Sequence, residues 1–485
     1  MDLCTTTRLN EALENGVFGA IHLETWDPIG KMFLVHPSVK VLLRGLGEDV
    51  TRDGLLRTPL RVAQAFQSAI KGYQQSAKEI VGGALFAEVG AGGGKGSGGG
   101  CGGMVVVRNI EVYALCEGCL LPFRLRCHVA YIPSGERVVG LSKLARVAEM
   151  YAKRLQTPLQ FVEELAQAFA DALKPEPLGV AVLAESWHLQ WPGVIEDDVT
   201  VNPKEMVGWT PLTVCAGRGQ FEDKGGDIFW SELMGILQLE GTNMTKPCAV
   251  EVDSQCAEYN ISGVDDTAAA AAAVPEMIEA VKDLLRLVGE DPCRTQLYLT
   301  PWRFVRWLWT STRGSRVSVP GLEFELDTKL NGSSWGKVNG GISGLTQLGV
   351  ILESGEGAAA EVIVGELDLS FCSQCEHHLL PFLGVVHVGY VIGKGGGRLD
   401  RLSMQRMVRS YSCRLQVQER LTRQIAEAVG GSVMVVVEAN HMCMLSRGVQ
   451  QHASSTVTYA SLGIFASDAS ARTTFLQLVG KRTSG

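Results

Sequence analysis

Apolar positions recur with a helical period across residues 39–74, at Val41, Leu42 and Leu46 and again at Val62, Ala65, Phe66 and Ile70. That spacing lines one face of an α-helix. Asp49 and Thr58 stand where helix caps belong, and Pro59 follows at a first helical position. Residues 88–103 are almost entirely Gly, Ala and Ser, which predicts a flexible loop. The period then falls to two, and residues 104–132 read as strand, turn and strand. Helical spacing returns over 141–174, followed by a short apolar strand at 179–184. The second half repeats this order. It has helices at 277–312, a Gly/Ser-rich loop at 331–344, strands at 361–371 and 384–392, helices at 402–430, and strands at 432–439 and 455–463. Between the halves, residues 241–276 carry an acidic patch, the run Ala268–Ala273 and Pro275, and read as a linker.

The repetition extends to residue identity. Leu42 to Asp49 matches Leu284 to Asp291, Thr58-Pro59 matches Thr300-Pro301, Cys116 to Phe123 matches Cys375 to Phe382, and Arg154-Leu155-Gln156 matches Arg414-Leu415-Gln416. The matches keep one order, and the drift between copies falls in glycine-rich loops. This is a duplication of a whole domain. It divides the chain into an N-terminal extension (1–38), a first copy (39–240), the linker (241–276) and a second copy (277–485).

A chain of 485 residues is too long for one core, so two copies with two cores fit its length. Its 44 Lys and Arg against 52 Asp and Glu give a net charge of −8, which disfavours nucleic acid or an anionic membrane as the main partner. Thirteen cysteines, several in ligand-like spacing, point to a reducing compartment, hence the cytoplasm, rather than a disulfide framework. No apolar run is long enough to span a membrane. The first residues carry acids and no apolar core, unlike a signal or transit peptide.

The candidate chemistry concentrates in two short stretches, F-C-S-Q-C-E-H-H-L-L-P-F at 371–382 and E-A-N-H-M-C-M-L-S-R-G at 438–448. They hold Cys375, His378 and Cys443, with His377 and His441 beside them. Two thiolates and one imidazole suit zinc, and three protein ligands leave a coordination position open. A histidine next to each half of such a site is a natural acid or base near neutral pH.

With the stretches C-E-H-H-L, R-L-Q-V-Q-E-R-L and H-M-C-M-x-x-R-G-V-Q, the second copy resembles GTP cyclohydrolase I, in the tandem two-domain form found in plants. The first copy resembles it more loosely. The resemblance implies an α+β architecture of two tandem tunnelling-fold (T-fold) domains. Each would be an antiparallel sheet with two helices on one face, preceded by an N-terminal helical segment. Such domains would join edge to edge into a ring-like homo-oligomer with active sites between neighbours. The implied reaction converts GTP and water to 7,8-dihydroneopterin triphosphate and formate, the first step towards pterins and folate.

Carried over residue by residue, Cys375, His378 and Cys443 would bind zinc, whose activated water would attack C8 of the purine. His377 and His441 would move protons. Glu419, as a buried carboxylate, would hold the guanine N–H edge with Gln418 beside it, and Arg447, Arg303 and Arg306 would meet phosphate. The segment that touches the triphosphate in the family survives in the first copy as Ser142, Lys143 and Arg146. The second copy has Ser403 at the lysine position and Arg406 at the arginine position.

The first copy departs from the pattern elsewhere. Gly118 and Cys119 replace His377 and His378, Gln190 replaces Cys443, and Thr157-Pro158-Leu159 interrupts the guanine stretch. Cys116 and Cys119, with His188 or His128, form a second candidate metal set, read here as relics in a strand turn. One zinc per chain is therefore expected, in the second copy. Complementary losses suggest sites built from both copies. The competing expectation is a catalytically weak, zinc-stabilised assembly or regulatory subunit.

Overall fold

A computed structural model describes residues 28–87, 103–133, 137–173, 177–190, 208–222, 226–239, 268–312, 348–352, 361–392, 399–445 and 454–481. The first half opens with helices α1 (Pro28–Gly45), α2 (Asp53–Leu56) and α3 (Thr58–Ile70), then a 3-10 turn at Lys71–Gln74 and α4 (Ala77–Val81). Strands β1 (Leu85–Ala87) and β4 (Arg137–Val139) pair as a small antiparallel ribbon. The main elements are β2 (Val105–Cys116), β3 (Pro122–Ile132), α5 (Leu141–Ala152), β5 (Leu155–Gln156), α6 (Pro158–Ala172), β6 (Gly179–Gln190), β7 (Gly208–Gly219) and α7 (Gly226–Gln238). They form a five-stranded sheet in the order β5-β2-β3-β6-β7, antiparallel except where β5 runs parallel to β2.

The second half repeats the plan. Helices α8 (Ala268–Leu287) and α9 (Thr300–Ser311) precede β8 (Leu348–Leu352), β9 (Glu361–Cys375), β10 (Pro381–Ile392), α10 (Arg401–Ser412), β11 (Leu415–Gln416), α11 (Gln418–Val429) and β12 (Val433–His441). The chain continues through α12 (Met442–Leu445), β13 (Thr456–Ser461), α13 (Ile464–Ser467) and α14 (Ala469–Lys481). The sheet order is β11-β9-β10-β12-β13, with β8 on the other part of β9. Both halves are thus α+β units, as expected, but each sheet is mixed rather than wholly antiparallel, since the short strands β5 and β11 run parallel to β2 and β9.

Three further differences from the expectation have physical causes. First, each sheet is covered on both faces. Strand alternation sends Val433 and Val435 towards Leu421 and Ile425 on α11, and sends Met434 and Val436 towards Phe475 and Leu478 on α14. Helix α7 plays the part of α14 in the first half, with Trp230 and Leu233 against Ala181 and Leu183. Second, β6 runs six residues past the predicted end, and β7 was not foreseen. Pro211 lies inside β7, where it is tolerated because β7 is an edge strand. Third, the alanine run expected in the linker is the start of α8, in keeping with alanine's high helix propensity.

The helices at the start of each half are shared. Leu42, Leu43 and Leu46 of α1 enter one core with Met277, Val281, Leu284 and Leu285 of α8 and with Phe304 and Leu308 of α9. Burying each such side chain is worth about 1.5–3 kcal/mol. Gly45 permits the close approach, since a Cβ there would lie 2.5 Å from Met277 Cγ. Beyond this core the start of each half crosses to the other. Thr58 Oγ1 at the head of α3 donates to the Glu376 carbonyl (2.7 Å), and Thr300 Oγ1 at the head of α9 donates to the Glu117 carbonyl (2.6 Å). Arg52 Nη1 reaches Glu376 Oε2 at 2.8 Å, and Arg294 Nη2 reaches Glu117 Oε2 at 3.0 Å. Tyr73 donates a further hydrogen bond to Glu290 across the halves.

Candidate metal centre and its surroundings

Strands β9 and β12 flank β10 and both run antiparallel to it, so their C-terminal ends meet at one end of the sheet. Cys375 is the last residue of β9 and His441 the last of β12, opposite Phe382. Helix α12 starts directly after His441 and brings Cys443 back. The turn between β9 and β10 supplies His378. It is held by Cys375 N to Leu380 O (2.9 Å), Leu379 N to Cys375 O (3.0 Å) and Glu376 N to Gln416 O (3.0 Å). Leu379 takes a left-handed φ of 50°, a strain that the surrounding turn enforces.

Ligand atoms of Cys375, His378 and Cys443 all lie within 4.8 Å of one another, and all three side chains are buried. Cys375 Sγ and His378 Nδ1 are 3.9 Å apart. The Cys375 thiol is held well below its ordinary range. The hydrogen bond from Cys443 contributes most, and contacts with His377, His378 and His441 add to it against the upward push of burial. Two buried thiols and an imidazole converging on one point, with one thiol biased towards thiolate, fit a zinc ion. His377 is 37 % exposed and lies at the edge of this cluster, in contact with the Cys375 thiol.

His441 is fixed by a residue whose task the sequence did not reveal. Its ring stacks on Phe382 with centroids 4.6 Å apart, and its Nε2 lies 2.8 Å from Gln418 Oε1. Gln418 Nε2 donates to the carbonyls of Val437 (3.0 Å) and Thr456 (2.9 Å). Those two acceptors settle which end of the amide is nitrogen, so the oxygen faces His441 and its Nε2 must carry the proton. Gln418 is 2 % exposed, and its amide contacts His441 and the carbonyls of Val437 and Thr456. Glu419, the next residue, lies in the first turn of α11 and is exposed in this chain, not buried as expected.

Glu376 is the hub of the turn. Arg420 Nη2 (2.7 Å) and Arg52 Nη1 (2.8 Å) converge on its Oε2. Burial alone would raise the Glu376 carboxyl, but the two arginines outweigh it and hold the group below its ordinary value. In the first half Arg294 is the partner of Glu117, Gln160 stands at the Arg420 position, and burial wins, pushing the Glu117 carboxyl up. The repeat itself carried this signal, because both copies keep the pair Arg52/Glu376 or Arg294/Glu117.

Other expected residues are placed as follows. Because the leading helices cross over, α9 opens on the first half's turn at Glu117, and Arg303 lies one turn further along it. The helix that opens on the Glu376 turn is α3, carrying Arg61. Arg306 is 9 % exposed, with its guanidinium 5.2 Å from the Trp302 ring centroid. Ser142, Lys143 and Arg146 share the first turns of α5, with Ser142 and Arg146 exposed. On α10, Ser403 donates its backbone N–H (2.8 Å) and hydroxyl (2.9 Å) to Asp400, while Arg406 is exposed. Arg447 lies outside the described residues.

A sequence profile of the GTP cyclohydrolase I family matches residues 35–210 and again 342–480. The protein named GTP cyclohydrolase 1 of Solanum lycopersicum is 42% identical over 448 residues, covering 92% of this chain and 91% of its own length. That of Arabidopsis thaliana is 39% identical over 482 residues, covering 98% and 96%. A shorter relative of the same name from Dictyostelium discoideum is 45% identical over 152 residues, 31% of this chain and 60% of that protein. Two profile matches in one chain, with relatives that align along nearly all of it, place both halves: the chain belongs to the GTP cyclohydrolase I family of enzymes, in its tandem two-domain form.

Proposed function

We propose that the chain converts GTP and water to 7,8-dihydroneopterin triphosphate and formate at a zinc centre held by Cys375, His378 and Cys443. The observation that carries this reading is the buried cluster of two sulfur donors and one nitrogen donor, with two further imidazoles at its edge. Bound zinc supplies the Lewis acidity that makes a water nucleophilic near neutral pH. The protein supplies the rest. With its Nε2 proton directed at Gln418, His441 takes up and returns protons through Nδ1. His377, open to solvent, is the second proton carrier. Glu419 accepts the guanine N–H edge, enclosed by a neighbouring copy in the assembly.

We further infer tunnelling-fold domains assembled into a homo-oligomeric ring, in the cytoplasm, with triphosphate cations drawn from the first half. Val457 and Tyr459 project from the edge strand β13, 60% and 65% exposed, which supports edge-to-edge assembly. Asp400 already caps α10 with a carboxylate, whereas the matching cap of α5 is Gly140, with no side chain. An anion is thus favoured near Ser142, Lys143 and Arg146 and opposed near Ser403. Among the described residues no helix is long and apolar enough to cross a membrane.

The test is GTP-dependent formate release and pterin fluorescence by the full chain, with zinc measured in parallel. Cys443→Ser should remove the second-half zinc and turnover together. Glu419→Gln should keep zinc and lose turnover about 10–150-fold, the worth of one charge-assisted hydrogen bond. A zinc-replete particle with no turnover would instead establish an assembly or regulatory subunit.

A further inference from the structure

The first half lost the family's ligand set and carries another in its place. Cys116 ends β2 as Cys375 ends β9, and the same hydrogen bonds shape the turn that follows: Cys116 N to Leu121 O (2.9 Å), Leu120 N to Cys116 O (2.8 Å) and Glu117 N to Gln156 O (3.1 Å). Leu120 keeps the left-handed φ, at 58°. On this preserved turn Cys119 replaces His378. His188, opposite Phe123 on β6, corresponds to His441. Ligand atoms of Cys116, Cys119 and His188 lie within 4.8 Å of one another, and the residues are 2%, 3% and 4% exposed.

Three substitutions act in one direction. The His378 position gained a thiol, the Cys443 position lost one to Gln190, and the count of two sulfurs and one nitrogen is unchanged. The third concerns the imidazole. In the second half Gln418 claims Nε2 of His441, but Pro158 stands at the Gln418 position and has no amide side chain. Nε2 of His188 instead faces Cys119 Sγ at 3.4 Å. Zinc bonds of about 2.3 Å to sulfur and about 2.0–2.1 Å to imidazole nitrogen, set tetrahedrally, separate the two ligands by about 3.5 Å. Random decay of a metal site does not rebuild its donor count at that spacing.

We propose that Cys116, Cys119 and His188 bind a second zinc-like ion, so that the chain holds about two metals rather than one. Three protein ligands leave one coordination position open, as in the second half, but the ion's role is to hold the turn rather than to serve turnover. Gly118 occupies the position of His377, and the imidazole that corresponds to His441 is itself a ligand, so no imidazole from these positions is left to carry protons. The ion would lock the turn whose Glu117 carbonyl and carboxylate receive Thr300 and Arg294 of the second half. It would thereby tie the first half's sheet to the second half's leading helices.

The test counts metal on the full chain. Zinc is measured per chain after desalting, and Co2+ exchange is read by thiolate-to-metal absorption, for the unmodified protein and for Cys375→Ser/Cys443→Ser, Cys116→Ser/Cys119→Ser and the quadruple variant. The expected pattern is about two ions, about one in each double variant, and about none in the quadruple. The Cys375→Ser/Cys443→Ser protein reads the new site without altering it and should keep one ion with a thiolate–cobalt band. One ion in the unmodified chain with none in that variant would overturn the proposal. So would a count left unchanged by Cys116→Ser/Cys119→Ser, which would place the second ion elsewhere. Either failure leaves the Cys375 centre, measured separately, untouched.

Discussion

Gln418 commits its amide nitrogen to two main-chain carbonyls, and this makes its oxygen an obligatory partner for the His441 proton. Gln418→Met should therefore leave zinc bound but lower kcat by about tenfold, for a hydrogen bond of about 1.5 kcal/mol. His441→Ala should lower it by about 10²–10⁴-fold with metal retained. A Gln418→Met enzyme of unchanged kcat would show that the tautomer is set by something else. A second buried group invites a pH experiment. Lys153 is 2% exposed, and burial, with Lys71 adding to it, lowers its pKa from 10.5 to about 8 against the pull of Glu149. The folded state thus holds this proton more weakly than the unfolded chain does. The destabilisation is full below about pH 8 and fades as pH rises towards 10.5. Lys153→Met should stabilise the protein by on the order of 3 kcal/mol near neutrality, and the gain should shrink in melts at higher pH. Equal gains at both ends would exclude the ionisation as the cause.

At the scale of elements, the exchanged segments between α1 and α3 and between α8 and α9 determine which residues meet which turn. A Cβ on Gly54 would come within 2.4 Å of Glu376 Oε1 and 2.9 Å of Arg52 Nη1. Gly54→Ala should displace the Glu376 carboxylate and, through the turn, Cys375 and His378. Arg52→Ala leaves Glu376 buried with Arg420 alone and should cost about 1–3 kcal/mol in thermal or denaturant unfolding. Both changes lie in the first half, and both should weaken zinc retention in the second. Unchanged zinc affinity in both variants would reduce the contact to a surface tie. Much of the metal cluster was legible in the sequence, because Cys375, His377, His378, His441 and Cys443 are crowded into two short motifs. The helix and strand order was legible for the same reason, as the periodicity is strong. That α9, with Arg303, opens on the Glu117 turn was not legible, because a repeat records what each copy contains and not which copy its leading helices pack against. The contact of Gln418 with His441 was not legible, because a motif gives adjacency to Glu419, whereas burial and the carbonyls of Val437 and Thr456 decide where its amide points.

For the molecule as a whole, the shared helical core and the reciprocal contacts mean that the leading helices of each half are packed against the other. Residues 1–260 and 261–485 expressed apart should be poorly soluble and inactive, and should recover turnover on co-expression. Lys143→Ala and Arg146→Ala in the first partner should then raise KM for GTP. Full turnover by residues 261–485 alone would remove the need for the first half. The exchange also makes the two straps unequal. A symmetrical dimer of second halves would meet the Glu376 turn with Arg294 and, at the Gly54 position, Gln296, and the Glu376 carboxylate and the arginine beside it would have to shift to admit a Cβ there. The fusion binds the two copies by mutual custody: each turn is strapped by the leading segment of the other copy, so a change in one copy's strap is felt at its sibling's turn.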